Sequence, residues 1–472
     1  MKKVTSGIIW SIFERFSIQG IQLVLSLIIA RLLLPSDYGI IAMLSVFINI
    51  SQVFVDSGFS KALIQKQNRT EADYTTVFIF NIVISILIYT FLFLLSPLIA
   101  QFYNIPEIEK ILRFSALSIV IGSSYAIQNT IIIINLEFKK LAKFSIISTS
   151  ISGICGVLLA YSGYGVWALV FQPLINHSLM SILLWTFSQW RPQKGFSFKS
   201  FNELFGFGSK LLTSSLITSL YANLYTLSIG KFFQSKELGL FNRATTIVNL
   251  PSSNITEVVT RVTYPVQCEL QDENDLLYEK FMTFISLISY IVFPLMIGLS
   301  ILSRPLVELI LTDRWIECVP LINLLCFANL LQPVMAMNWQ LLNVKHRSDL
   351  ALKSEIIKKI IAITVLLITL QFNVKIMCIG LILYSIIDMI VITHFTQKVL
   401  AKVTLKEEFK RLFPIFLLAI SMGIFLLIIN HFIDFNNNIF LIGTDIILGL
   451  LFYVSISYML KFKELKILIK KL

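Results

Sequence analysis

The sequence predicts an all-α integral membrane protein of about 14 transmembrane helices, set as two six-helix lobes related by a parallel pseudo-two-fold axis plus two C-terminal helices. Three observations carry this expectation. The chain of 472 residues is 56% hydrophobic and 14% charged, whereas soluble domains run to about 45–50% apolar and about 25% charged. Its apolar runs, such as Ile8–Leu34, exceed the ~20 residues that cross a bilayer and lack the alternation of barrel strands. One loop also recurs. Arg31–Ile40 lies on Lys231–Leu240 without a gap, pairing Arg31 with Lys231, Asp37 with Glu237 and Gly39 with Gly239.

The elements follow in chain order. Lys2 and Lys3 precede an apolar stretch that continues to about Leu34 without a small-residue exit, so it reads as a retained first helix and not a cleaved signal. The first six spans cover residues 8–34, 38–60, 76–102, 108–135, 142–161 and 165–188, and the polar stretch Gln189–Gly195 follows. The second six cover 202–230, 237–262, 281–302, 317–342, 350–370 and 375–397, and the last two cover 412–432 and 438–460. The domains are therefore 1–190, an N-terminal six-helix lobe; 200–400, a second such lobe; and 410–472, two extra helices with a basic tail. Six spans per lobe is an even number, so both lobes enter the membrane in the same sense, which is why the pseudo-axis is parallel to the membrane normal and a substrate site is expected between the lobes.

Charge gives the orientation. The net charge is +12, which in a soluble protein would suggest nucleic acid; here the bases sit in short loops and read as topogenic charge. They gather in alternate loops, with Lys139, Lys140 and Lys143 in one and Lys398, Lys402, Lys406, Lys410 and Arg411 in another, and the tail adds Lys461, Lys463 and Lys466. The opposite loops hold only scattered bases such as Lys110, Arg113 and Lys375. Both termini are expected in the cytoplasm.

Ionisable groups inside spans are costly, about 2.5–3.5 kcal/mol each on insertion scales, and by default mark function. Arg15, Lys210, Arg243 and Arg261 are the candidate substrate-binding bases, falling in the first, seventh and eighth spans. A basic cleft of low dielectric attracts anions and holds phosphate through paired hydrogen bonds. Glu14, Asp56 and Asp388 are the candidate ion-coupling acids, and Asp445 lies in the last span. Arg261, four residues after Glu257, is also placed to pair within its helix, and Asp388 to pair structurally. The five cysteines and four histidines show no ligand or disulfide spacing, so no metal is expected. Enzyme motifs are absent: Gly206–Lys210 only looks like a phosphate loop. With no nucleotide-binding domain and no cofactor, transport would draw on an ion gradient or on the substrate's own gradient.

Several segments together resemble the polysaccharide-transporter branch of the MOP flippase superfamily, the Wzx-type and colanic-acid-exporter-like proteins. They are Trp10–Phe16, Ala30–Gly39 with its Pro35-Ser36-Asp37-Tyr38-Gly39 loop, Phe54–Phe59, Ala62–Lys66, Gly163–Leu169, and Leu238–Ala244 with Asn242-Arg243-Ala244. The resemblance covers about residues 1–400. It implies a two-lobe bundle that alternates between inward- and outward-open forms in the bacterial inner membrane. It implies an undecaprenyl-diphosphate-linked oligosaccharide as substrate, bound for O-antigen or exopolysaccharide synthesis, with the sugar in a hydrophilic cleft and the lipid tail outside among membrane lipids. It suggests proton or sodium coupling, and polysaccharide polymerase or assembly proteins as partners. In such relatives cleft arginines engage the diphosphate, and Arg15 and Arg243 fall in matching segments.

The alternative is a MATE-like exporter of cationic small molecules, which would favour acidic cleft residues where this chain has mostly bases. A membrane enzyme would carry a large outer loop, and the longest outer connection, 303–317, is short.

Overall fold

The computed structural model describes residues 2–56, 58–193, 195–433 and 437–470, and these form helices and short connections with no strand among them. Backbone polar groups must be bonded within a segment that meets lipid, and the helix is the way one isolated run does this. The chain forms two compact units that divide after Gly239. The first contains α1 (Lys2–Leu32), α2 (Pro35–Asp56), α3 (Phe59–Gln65), α4 (Glu71–Tyr103), α5 (Glu107–Ile134), α6 (Phe138–Tyr161), α7 (Val166–Phe187), α8 (Phe198–Ala222) and α9 (Leu224–Phe232). Helix α10 (Ser235–Glu269) begins in the first unit and runs into the second. The second continues with α11 (Asn274–Ile310), a 3-10 turn at Asp313–Cys318, α12 (Val319–Asn329), α13 (Gln332–Val344), α14 (Ser348–Thr369), α15 (Val374–Gln397), α16 (Leu405–Phe432), α17 (Asn438–Met459) and α18 (Lys463–Lys470).

Helix starts follow local chemistry. Pro35 opens α2, where its missing N–H is no loss. Thr70 and Asp73 close a capping box at α4: the Thr70 N–H donates to Asp73 Oδ2 at 2.8 Å and the Asp73 N–H to Thr70 Oγ1 at 3.4 Å. Thr404 caps α16, accepting from the Glu407 N–H at 3.2 Å, and Asn373 caps α15 from Ile376 at 2.9 Å. The repeated loop is a repeated cap. The Leu34 N–H donates to Asp37 Oδ2 at 3.0 Å, and the Gln234 N–H donates to Glu237 Oε2 at 3.4 Å.

The repeat also explains its two glycines. A methyl group at Gly39 would overlap the carbonyl of Ser235, and one at Gly239 would overlap the carbonyl of Pro35 and stand 3.0 Å from the Gly39 nitrogen. The partners exchange between the two copies, as local two-fold symmetry requires. Backbones this close need residues without Cβ.

Within the first unit α4 packs on α5, α1 on α6, and α7 on both α5 and α6; α2 lies against α5, α7 and α8. In the second, α11 packs on α12, α16 and α17, and α15 on α12, α13 and α14. Large apolar side chains remain outside: on α4, Leu87, Phe91, Leu94 and Leu98 are all at least 60% exposed. Such a surface fits a lipid environment.

Eleven described helices are long and apolar enough to cross a bilayer. The segments expected as the seventh, eighth and eleventh spans are helical but polar. The seventh is broken at Asn223 into α8 and α9. The eighth, α10, is rich in hydroxyls, and Thr245, Thr246, Ser252, Thr256, Thr260 and Thr263 return their protons to carbonyls one turn back. The eleventh, α14, carries Asp349, Lys353, Glu355, Lys358 and Lys359. The Gly206–Lys210 stretch lies inside α8, so it forms no phosphate loop.

Candidate functional site: an uncharged polar groove

The three polar segments direct attention to what they face, and in the first unit α8 faces a groove. One cavity of about 410 Å³ is lined by Gln52 and Val53 of α2, Gly58 and Ser60 beside α3, Gly122, Tyr125, Asn129 and Thr130 of α5, His177 of α7, and Leu212 and Ser215 of α8. A second, of about 470 Å³, shares Gln52, Val53 and Ser215 and adds Asn49, Thr218, Ser219 and Asn223. The two adjoin along the α2–α8 contact.

The backbone shapes this groove at two breaks. Helix α2 ends at Asp56, and Gly58 turns the chain with φ of 71°, a left-handed value that suits glycine. Helix α8 ends at Ala222, and Asn223 covers the freed turn by donating its Nδ2 to the Ser219 carbonyl at 2.8 Å. Non-helical backbone at membrane depth is stable where it is buried or lines a wet cavity.

The walls are held by polar side chains. Tyr125 Oη and His177 Nδ1 are 2.8 Å apart, with their rings stacked at 6.1 Å. Behind them Ser124 and Ser181 hydroxyls meet at 2.8 Å, and the Trp185 indole N–H donates to the Ser124 carbonyl at 2.9 Å. These contacts fix α5 against α7. Asn129 Oδ1 is buried with no hydrogen-bond partner among the described residues, as are both amide atoms of Gln128 beside it. An unspent acceptor in a cavity wall is a binding capacity, since burying it unpaired costs about 1–3 kcal/mol. The polar lining residues carry amides, hydroxyls, a phenol and an imidazole, set among apolar Val53, Ile64, Ala126, Ile133 and Leu212, with no acid or base of fixed charge among the described side chains. That inventory matches a neutral, hydroxyl-rich ligand.

The charged candidates lie elsewhere or beyond description. Glu14 is half-buried and accepts from Ser145 Oγ at 2.9 Å, tying α1 to α6; Arg15 beside it is exposed. The side chains of Asp56 and Lys210 lie outside the described residues, their backbones being in α2 and α8. Arg243 is buried, with its guanidinium 6.0 Å from the centre of the buried Trp315 ring. Arg261 is exposed and pairs with Glu257 along its own helix. Asp388 is buried against Lys358 at 3.2 Å, and Lys358 also meets Glu355 at 2.6 Å. Asp445 accepts from Asn430 at 2.8 Å, joining α16 to α17.

Sequence reasoning passed over the groove's own residues. Asn49 and Gln52 in α2, and Asn129 in α5, are amides inside apolar runs, and that was the available signal. It also passed over Glu408, fully buried in the second unit, which accepts from Asn338 Nδ2 at 2.8 Å and Thr393 Oγ1 at 2.7 Å. No group of three or more His, Cys, Asp or Glu side chains that could hold a metal occurs among the described residues.

The fold is that of a known transporter class. The structure matches the lipid II flippase MurJ in an inward-closed conformation with a TM-score of 0.75, over 96% of this chain and 98% of that one, at 16% identity. It matches an inward-facing MATE-family multidrug resistance transporter of the MOP superfamily with a TM-score of 0.61, over 81% and 96%, at 12% identity. The chain is thus a multi-pass membrane protein of MurJ/MATE-like transporter fold. The family model of polysaccharide biosynthesis proteins matches residues 28–320, and the chain belongs to that family. Among its relatives, the teichuronic acid biosynthesis protein TuaB of Bacillus subtilis is 28% identical over 74% of this chain and 73% of its own length. The lipopolysaccharide biosynthesis protein WzxC of Escherichia coli is 26% identical over 82% and 80%. The succinoglycan biosynthesis transport protein ExoT of Rhizobium meliloti is 22% identical over 69% and 66%.

Proposed function

We propose that this chain is a flippase that carries undecaprenyl-diphosphate-linked oligosaccharide repeat units across the bacterial inner membrane, for surface polysaccharide synthesis. The observation that supports this most is the uncharged polar groove along α2 and α8. Asn49, Gln52, Asn129, Ser215, Thr218 and Asn223 offer donors and acceptors of both kinds without charge, which suits the hydroxyls of a glycan and gives little purchase to a cationic drug. The relatives are named for the biosynthesis of different glycans, teichuronic acid, lipopolysaccharide and succinoglycan. A groove that binds through many weak neutral contacts accommodates such variety.

In this reading the lobes 1–190 and 200–400 alternate in access, residues 410–472 add two helices and a basic tail outside the repeat, and both termini are cytoplasmic. Arg15, Lys210, Arg243 and Arg261 are the bases proposed to meet the diphosphate, and Glu14, Asp56 and Asp388 the acids proposed to couple a proton or sodium ion.

The test is flipping of a fluorescent undecaprenyl-diphosphate glycolipid in liposomes, paired with glycan export in cells. Gln52→Ala with Asn129→Ala should lower the rate about ten-fold or more, the equivalent of about 1.4 kcal/mol, while leaving protein level and thermal stability intact. Arg15→Ala should abolish export at normal protein level. Wild-type rates in the groove variant would overturn the assignment of the groove, and normal export by Arg15→Ala would remove that residue from the mechanism.

A further inference from the structure

A second cavity class lies far along the chain from the groove. In the second unit a space of about 630 Å³ opens between α16, α17 and α18, within the 300–1,000 Å³ range of small-molecule sites. Its long walls are apolar, formed by Pro414, Ile415 and Leu418 of α16 with Ile456 and Leu460 at the end of α17. At one end it is bounded by Lys410, Arg411 and Lys463, with Glu464 as the one acid.

The basic end is incompletely satisfied. Arg411 Nε is buried with no hydrogen-bond partner among the described residues, and the nearest carboxylate, Glu464 Oε1, stands 3.7 Å from its Nη2, too far for a hydrogen bond. Helix α18 reads Lys463-Glu464-Leu465-Lys466-Ile467-Leu468-Ile469-Lys470; Glu464 and Leu465 are buried, while Lys463 and Lys466 are exposed. A short basic amphipathic helix with this division rests at a membrane interface. The walls lead outward to side chains that meet lipid, Leu417 at 48% and Leu460 at 66% exposure.

We infer that this cavity is a binding site for an anionic phospholipid, its phosphate held by Arg411, Lys410 and Lys463 and an acyl chain laid along Ile415, Leu418 and Ile456. The apolar walls exclude a free sugar, and the charge at the mouth selects an acidic headgroup over a zwitterionic one. The bias of basic loops puts this end in the cytoplasmic leaflet, where acidic headgroups attract each nearby Lys or Arg. The bound lipid would fasten α18 and the two last spanning helices to one another, because it touches all three. This site shares no lining residue with the glycan groove and stands or falls independently of transport.

The experiment is native mass spectrometry of the full chain in detergent, titrated with phosphatidylglycerol or phosphatidylcholine. Phosphatidylglycerol should bind in preference to phosphatidylcholine, and that preference should fall about five-fold for each base removed, by Lys463→Ala alone and by Arg411→Ala with Lys463→Ala. Leu418→Trp, which fills the apolar wall and leaves the bases, should weaken both lipids. Equal binding of the two lipids by the wild-type chain would overturn the inference. So would unchanged phosphatidylglycerol binding in the double variant, displacement by millimolar inorganic phosphate, or displacement by undecaprenyl phosphate at equal concentration, since these assign the site to a free anion or to the carrier lipid.

Discussion

Replacing Gly39 or Gly239 by alanine tests the crossing of α2 with the start of α10. The added methyl at Gly39 would stand inside the carbonyl of Ser235, and that at Gly239 inside the carbonyl of Pro35. Non-bonded carbon and carbonyl oxygen settle at about 3.3–3.6 Å, so the two helix starts must part by roughly 1.5 Å in either variant. Both obstacles are backbone, which no rotamer change relieves. Overpacking of this kind costs about 1–3 kcal/mol, or about 2–12 °C in Tm for a unit of this size. Gly20 in α1 and Gly443 in α17 are the controls, since a methyl at either meets nothing within 4 Å. Alanine there should hold or raise Tm, because glycine inside a helix is about 0.5–1 kcal/mol less favourable. The measurement is fluorescence-detected unfolding in detergent of the four single variants. Gly39→Ala and Gly239→Ala should fall together. A Tm for either that matches Gly20→Ala would refute the close approach, and a large loss in only one would refute the exchange symmetry.

Other expectations concern buried polar pairs. Glu408→Ala strands the Asn338 amide and the Thr393 hydroxyl and should cost about 2–4 kcal/mol, while Glu408→Gln keeps one or both bonds and should cost less than half as much; the order of Tm values checks this. Lys358→Ala leaves Asp388 buried without its ion pair and should cost about 3–5 kcal/mol, much of it recovered in Lys358→Met with Asp388→Leu. Lys66 loses some hydration on burial, but hydrogen bonds from its ammonium to Glu203 and Asp73, both at 2.9 Å, outweigh this and hold its pKa above the ordinary lysine value. Its contribution is therefore complete at neutral pH and is lost as pH rises through the raised value. Tm of the wild-type chain should drop more between pH 9 and 11.5 (about the lysine range) than Tm of Lys66→Met, and parallel curves would count against the pairing.

Much of the architecture was legible because the bilayer imposes it. A run such as the one forming α4 has no other stable form in lipid, so length and apolarity sufficed. The loop at Pro35–Gly39 and its copy at Ser235–Gly239 were legible as a repeat because a tight helix crossing leaves few residue choices. The polar spans were harder. α10 and α14 carry groups satisfied by their own turns or by neighbours, as Lys358 is by Asp388, and hydropathy records the polarity without the partner. The groove was hidden for a related reason. Charge is conspicuous in an apolar run and drew attention to Arg243 and Arg261, which meet Trp315 and Glu257. The neutral amides Gln52 and Asn129 are quieter in composition, and their convergence depends on α2, α5 and α8 being neighbours, which no local pattern encodes.

The interruption at Asn223 has a consequence for how the protein is made. Helix α9 has 9 residues, about 14 Å of helix and less than half the hydrocarbon thickness. It cannot cross the membrane by itself, and Asn223 divides it from α8 before it. Both are held by contacts with α2 and α4. This stretch is therefore expected to settle into the bilayer against α2 and α4, helices already there. A truncation that removes α2 would leave α8 and α9 stranded at the translocon exit, even though every residue of their own sequence is intact.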